Sequence, residues 1–253
     1  MTQTGMTKVG VILSGCGLLD GSNITEAVLT FLALDRIGAE IVAMAPDVEA
    51  AQTINHYTGA EARGDAHGVL AGISGEARGV LTESARLVRG KITSTHEVSA
   101  HDIDALILVG GHGAIRNLCT YANDGTDATL NSDVERLVAE VVALGKPLGA
   151  MSEATVVVAL ALQTRQNASP AIISAGNDAR LTLDLEALGA RHQITTVDQI
   201  CIDERNRIVT TAGYLLAHGP AQAETGINKL VEHVLSMTRE MSAALGEGTA
   251  VSG

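Results

Sequence analysis

Apolar positions along this chain come in short unbroken blocks: "KVGVILSG" (8–15), "EIVAMAP" (40–46), "DALILVGG" (104–111) and "KPLGAM" (146–151). Aliphatic blocks of this length that end in glycine or proline read as strands buried on both faces. Between them the period lengthens. "SNITEAVLTFLALDRIGA" (22–39) sets Leu29, Leu32 and Ile37 at helical spacing, with Ser22 as the expected N-cap and Gly38 as the stop. "SDVERLVAEVVALG" (132–145), "DARLTLDLEALGA" (178–190) and "AQAETGINKLVEHVLSMTREM" (221–241) read as further helices, and "PAIISAG" (170–176) as a shorter strand. Residues 198–214, "DQICIDERNRIVTTAGY", alternate around a polar turn and predict an antiparallel hairpin. Strand, helix and strand within residues 8–46 make a βαβ unit. The fold class expected is α/β, a flavodoxin-like three-layer sandwich with a mainly parallel sheet and a small antiparallel hairpin.

Glycine is dense over residues 59–80, where "EARGDAHGVL" is half-echoed by "EARGVL". This stretch reads as an inserted surface loop, with a lid or an oligomer contact as the functional alternative. No linker divides the chain, so one domain over 1–253 is expected, with a disordered tail at about 243–253.

Apolar residues make up 46% of the chain but aromatics only 2%, so the core has to be aliphatic. The net charge of −12 opposes nucleic acid and anionic membrane surfaces, and no basic run offsets it. No apolar stretch is long enough to span a bilayer. Cys16, Cys119 and Cys201 lie far apart, with neither CxxC spacing nor histidines at ligand spacing. An odd count with no leader-like opening predicts reduced thiols in a cytoplasmic protein that needs no metal.

Ligands of an open parallel sheet bind at the carboxyl ends of its strands. Three loops lie there: "SGCG" after the first strand, "GGHG" after the strand at 105–109, and "MSEA" after 146–151. At the last of these a strand turns sharply into an apolar helix at Ser152.

These blocks, with "INHYTG", "ESARLVRGKI" and "IVTTAGYLLA", resemble the ElbB-like family, the bacterial "isoprenoid biosynthesis glyoxalase" or "enhancing lycopene biosynthesis" proteins. That family lies in the PfpI-like branch of the class I glutamine amidotransferase-like superfamily. The resemblance covers roughly residues 7–240 and is broken chiefly at 60–80. It implies a cofactor-free domain, usually a homodimer, with weak glyoxalase activity that converts 2-oxoaldehydes to 2-hydroxy acids. It also implies a cysteine at the strand-to-helix turn and a glutamate on the first helix. Glu26 matches the glutamate; the position that matches the cysteine holds Ser152.

A hydroxyl is a poor nucleophile without a base, whereas glyoxalase chemistry rests on a thiolate. Glyoxalase activity is therefore expected to be weak or absent. "GAMSEA" is not G-x-S-x-G, which argues against a serine hydrolase. Glu26, Glu153 and His112 are instead expected to converge on Ser152 as acid/base groups, with Gly15, Cys16, Gly111 and Asn117 lining the substrate site. Paired carboxylates push each other's pKa values apart, and backbone N–H groups at the helix start and at Gly111 can hold an enolate. That equipment suits proton transfer on a small carbonyl metabolite, of lyase or isomerase type and without a cofactor. Plainer readings stand beside it: Ser152 as a tolerated turn residue, Glu153 as a solvated first-turn carboxylate, His112 as a loop hydrogen-bonder. Two alternatives remain open, a non-catalytic binding or regulatory protein and a residual glyoxalase that uses water or Cys16.

Overall fold

The computed structural model describes residues 6–61, 78–163 and 169–250, without the side chains of 244–250. Most of the expected insertion falls on 62–77, outside the described residues, and so does the last part of the expected tail, 251–253.

Strands β1 (Lys8–Ile12), β2 (Glu40–Ala45), β3 (Thr93–Ser94), β4 (Ala105–Leu108) and β5 (Leu148–Met151) run parallel to one another, and β5 pairs in parallel with β9 (Ile208–Thr211). The hairpin partner β8 (Ile200–Asp203) closes the edge antiparallel to β9. The order across this sheet is β3-β2-β1-β4-β5-β9-β8. The chain thus leaves β1 toward β2 on one side and returns to β4 on the other. The loops after β1 and β4 part at that reversal, which opens a crevice at the carboxyl edge.

Period-two alternation divides the core between the two faces of the sheet. Val9, Val11 and Leu13 point with Ile107 and Val209 toward α1 (Ile24–Ile37) and α8 (Pro220–Ala250). Ile12, Leu106, Leu108 and Leu148 point the other way, onto α3 (His112–Asn117), α5 (Ser132–Ala143) and α6 (Ala154–Gln163). Burial on both faces is why the strands read as continuous apolar blocks rather than as alternating ones. Gly149 marks how closely α8 lies on the sheet: a Cβ there would come within 2.9 Å of Leu230.

Short helices α2 (Val80–Ser84) and α4 (Tyr121–Asp124) have no counterpart in the periodicity, and neither do the two-residue strands β3 and β7 (Arg191–His192). α7 (Ala179–Ala187) lies within its expected span and is capped by the Asp178 side chain. Three expectations are corrected. The N-cap of α1 is Asn23, not Ser22; its side chain accepts from the Thr25 and Glu26 amides, while the Ser22 hydroxyl turns inward to the Ser14 amide. The strand expected over 170–176 shrinks to β6 (Ile172–Ile173), which joins β7 (Arg191–His192) in a separate two-stranded parallel sheet. Its neighbours' side chains divert its amides: Ile172 donates to Asp203 and Ser174 to Thr210, so no longer ladder forms. Finally, α8 carries on past 241 to Ala250.

Candidate active site

Strand β5 ends at Met151, and Ser152 takes a left-handed conformation with φ of 51°. That is an uncommon and strained choice for a residue with a side chain. It persists because both sides of the residue are tied down. The Ser152 amide donates to Thr211 O at 3.1 Å, and the Thr155 hydroxyl donates back to Ser152 O at 2.7 Å. The tight turn aims the Ser152 side chain inward, where the residue is 1% exposed.

Glu26 arrives from the first turn of α1, wholly buried. One carboxyl oxygen, Oε2, accepts from Gly110 N–H at 3.0 Å; the other, Oε1, accepts from Tyr214 N–H at 2.7 Å and touches the Ser152 hydroxyl. The same hydroxyl lies 3.0 Å from Ala212 O. One hydroxyl proton cannot serve two acceptors. The count balances when Glu26 is protonated and donates to Ser152, which in turn donates to Ala212. The electrostatics agree. Burial first, then the charge of Glu153, push the Glu26 pKa up from 4.5 to about 7, against the opposing pull of its three hydrogen bonds.

Glu153 is buried as well, not a solvated first-turn residue. Its Oε2 accepts from Gly111 N–H at 2.9 Å, and its Oε1 faces His112 Nε2 at 3.7 Å. Consecutive amides of the "GG" loop therefore hold the two carboxylates in register. Glycine is required at both positions. A Cβ on Gly110 would sit 2.5 Å from Glu26 Oε2 and from Ser152 Cβ, and Gly111, at φ of 106°, would collide with the Asn23 backbone.

The structure places Ser152, Glu26 and Glu153 at one point, with His112 against Glu153 on the more open side. The proposed lining residues fare differently. The Gly111 N–H, expected to stabilise an oxyanion, is engaged by Glu153. Asn117 is a clamp: its Nδ2 donates to Ser14 O and Asp20 O, and its Oδ1 accepts from Ala51 N–H. Gly15, at φ of 111°, donates to the Ser84 hydroxyl. Cys16 lines a separate cleft with Asp20, Gln52, Thr53 and Glu83, where burial and the Glu83 charge raise its thiol pKa. The turn Ala212–Gly213–Tyr214, which closes over the Glu26–Ser152 dyad, is not among the expected site loops. It sits in "IVTTAGYLLA", and a glycine two residues past a strand at the carboxyl edge was the available signal.

No family model matches the chain. Individual proteins do. It is 36% identical over 240 residues to the human "Glutamine amidotransferase-like class 1 domain-containing protein 3, mitochondrial", covering 91% of this chain and 83% of that protein. The chain belongs to the glutamine amidotransferase-like class 1 family. The rat "ES1 protein homolog, mitochondrial" is 34% identical over 91% of this chain and 84% of its own length. Among solved structures, the Ehrlichia chaffeensis isoprenoid biosynthesis protein with an amidotransferase-like domain superposes with a TM-score of 0.79 at 25% identity, over 91% of this chain and 99% of that one. Glyoxalase III from Candida albicans (TM-score 0.56, 16% identity, 91% and 97% covered) shares the fold. The flavodoxin-like fold and the ElbB-type resemblance hold. The cytoplasmic expectation does not, because the human and rat relatives, and a zebrafish ES1 protein, are named mitochondrial. Cysteines without CxxC spacing or a leader-like opening do not choose among reducing compartments.

Proposed function

We propose that this chain is an enzyme that moves a proton beside the carbonyl of a small metabolite, with Glu26 as base and the Ser152 hydroxyl as anchor. The contact between a buried carboxyl and the hydroxyl at the strained turn carries the reading. With a pKa of about 7, Glu26 is populated in both forms near neutrality, which suits a group that must take a proton and return it. In the step proposed, the Glu26 carboxylate removes the C–H proton next to the carbonyl, and the electron pair moves into the new C=C bond. The charge that gathers on the carbonyl oxygen is held by the Ser152 O–H, and Glu26 returns the proton to the same carbon. Where that carbon carries a hydroxyl, passage of the hydroxyl proton to the charged oxygen gives an enediol, and Glu26 then protonates the former carbonyl carbon instead. Glu153, with His112 beside it at the open edge, exchanges protons with solvent. We read Ser152 as standing where the family carries its cysteine, and hence glyoxalase turnover as weak.

The reading is tested by proton NMR in D2O with methylglyoxal and small hydroxy-carbonyls. The expected result is wild-type C–H exchange well above buffer that is lost in Glu26→Gln. Exchange no faster than buffer across the set would refute the enzyme. A second reading draws on the depth of Ser152: so enclosed a hydroxyl also fits a protein that binds a ligand without turnover. Saturable ligand binding with no exchange would favour it.

As partner we propose a second copy of the chain on the outer face of α1. Ile24, Val28 and Leu32 face solvent along one side of that helix, and Glu26, its one charged residue before Asp35, is buried. On a chain of net charge −12, this uncharged strip is where two copies meet without like-charge repulsion.

A further inference from the structure

We propose that the turn Ala212–Leu216 is a gate that occupies the substrate position, and that the ligand displacing it is a small 2-hydroxy-carbonyl compound. The inference rests on the function proposed above. Two features point to it. First, the reacting groups are sealed by this turn: a Cβ on Gly213 would lie 2.5 Å from both Ser152 Oγ and Glu26 Oε1, so nothing fits between turn and dyad while it is down. Second, the turn is latched to the dyad by polar contacts of its own backbone. Ala212 offers a carbonyl oxygen to Ser152 at 3.0 Å, and Tyr214 offers an N–H to Glu26 Oε1 at 2.7 Å.

A substrate that lifts the turn has to replace both contacts, or leave a buried group unpaired. It needs an acceptor for Ser152 and a donor for Glu26. Those two side-chain atoms touch each other, so the two groups belong on adjacent carbons. A carbonyl beside a hydroxyl meets that demand, whereas a simple ketone supplies the acceptor alone. The outer half of the turn is shallow and free to lift: Tyr214, Leu215 and Leu216 are partly exposed, whereas Ala212 and Gly213, which face Ser152 and Glu26, are buried. Gly213, at φ of 54°, provides a pivot at the point of contact. From outside the turn is braced by Gly176, where a Cβ would meet Leu216 at 2.7 Å and Ala212 at 2.9 Å.

The gate is tested by iodoacetamide labelling of Ser152→Cys in the full chain, followed by peptide mass spectrometry so that each cysteine is read separately. Buried Cys119 and Cys201 report global opening. The thiol at position 152 is expected to label at least about tenfold faster than those two, and about tenfold faster again when Gly213→Ala forces the turn away. Labelling of all three at one rate, unchanged by Gly213→Ala, would overturn the gate. If Ser152→Cys does not fold, hydrogen exchange in the wild type decides instead: the Tyr214 amide should exchange well ahead of the Val209 amide in β9, and equal protection rejects the gate. For the ligand, saturation-transfer NMR with hydroxyacetone is expected to give a signal that Glu26→Gln abolishes, with none for acetone. Equal signals would reject the two-contact pattern. Both labelling and exchange are independent of turnover, so a working gate without catalysis, or catalysis without a gate, would be recognised as such.

Discussion

Replacing Glu26 by glutamine separates the electrostatics of the site from its packing, since the two side chains share a shape but only one ionises. The Glu26 pKa is about 7 in the folded chain against 4.5 when unfolded, so the folded state holds the proton more tightly. Stability from this group is therefore complete below about pH 4.5, falls as pH rises toward 7, and is gone above that. At roughly 1.4 kcal/mol per pKa unit the loss is about 3 kcal/mol. Glutamine has no such dependence, but it brings a cost of its own at low pH. Two N–H groups, from Gly110 and Tyr214, meet the two carboxyl oxygens, and glutamine turns one of those oxygens into an NH2 that opposes a donor. One unpaired donor costs about 1–3 kcal/mol. The expected result is a Glu26→Gln variant less stable than wild type at pH 5, by about that much, with a gap that closes or reverses by pH 8. Urea unfolding at both pH values measures it, followed by far-UV circular dichroism because the chain has no tryptophan. Taking the difference between the two proteins cancels the other titrating carboxylates. A gap that stays constant or widens with pH would show that Glu26 is ionised and held by its donors, and the proton count at Ser152 would fail.

Three further outcomes are expected. Gly110→Ala places a methyl 2.5 Å from Glu26 Oε2 and Ser152 Cβ and should cost about 2–3 kcal/mol in the same assay; a neutral result would mean that the two loops are not in contact. Asn23→Ala removes the acceptor for the Thr25 and Glu26 amides and should cost about 1 kcal/mol, whereas Ser22→Ala, if Ser22 were the cap, would carry that loss through the same amides. Val28→Asp with Leu32→Asp should lower the light-scattering mass from that of two chains to that of one; an unchanged mass would place the contact elsewhere or exclude it.

Much of the architecture was legible because it follows from local chemistry. β1, β2, β4 and β5 announce themselves as aliphatic blocks, since burial on both faces leaves no polar position to break them. α1 and α5 announce themselves by their spacing, and Gly38 by the left-handed cap that ends α1. Where the sequence misled, a competing partner decided. Ser22 and Asn23 are both good caps, and only the inward pull of Ser14 assigns the role to Asn23. "PAIISAG" has strand composition throughout, yet Asp203 and Thr210 take its amides. Asn117 has the chemistry of a ligand binder, but three backbone groups from distant loops use it first.

By itself, then, the sequence determined the α/β class and the carboxyl-edge loops, and it singled out Ser152, Glu26, Glu153 and His112 as candidates, because strand blocks, turn glycines and family motifs are all written in consecutive residues. Tertiary structure alone decided which groups meet. The contact between Glu26 and Ser152 joins residues 126 positions apart, and that between Glu26 and Tyr214 joins residues 188 apart. Neither pairing leaves a local trace. The raised pKa of Glu26 has the same origin, because desolvation and the charge of Glu153 exist only once α1, the "GG" loop and the β5 turn have closed on one another.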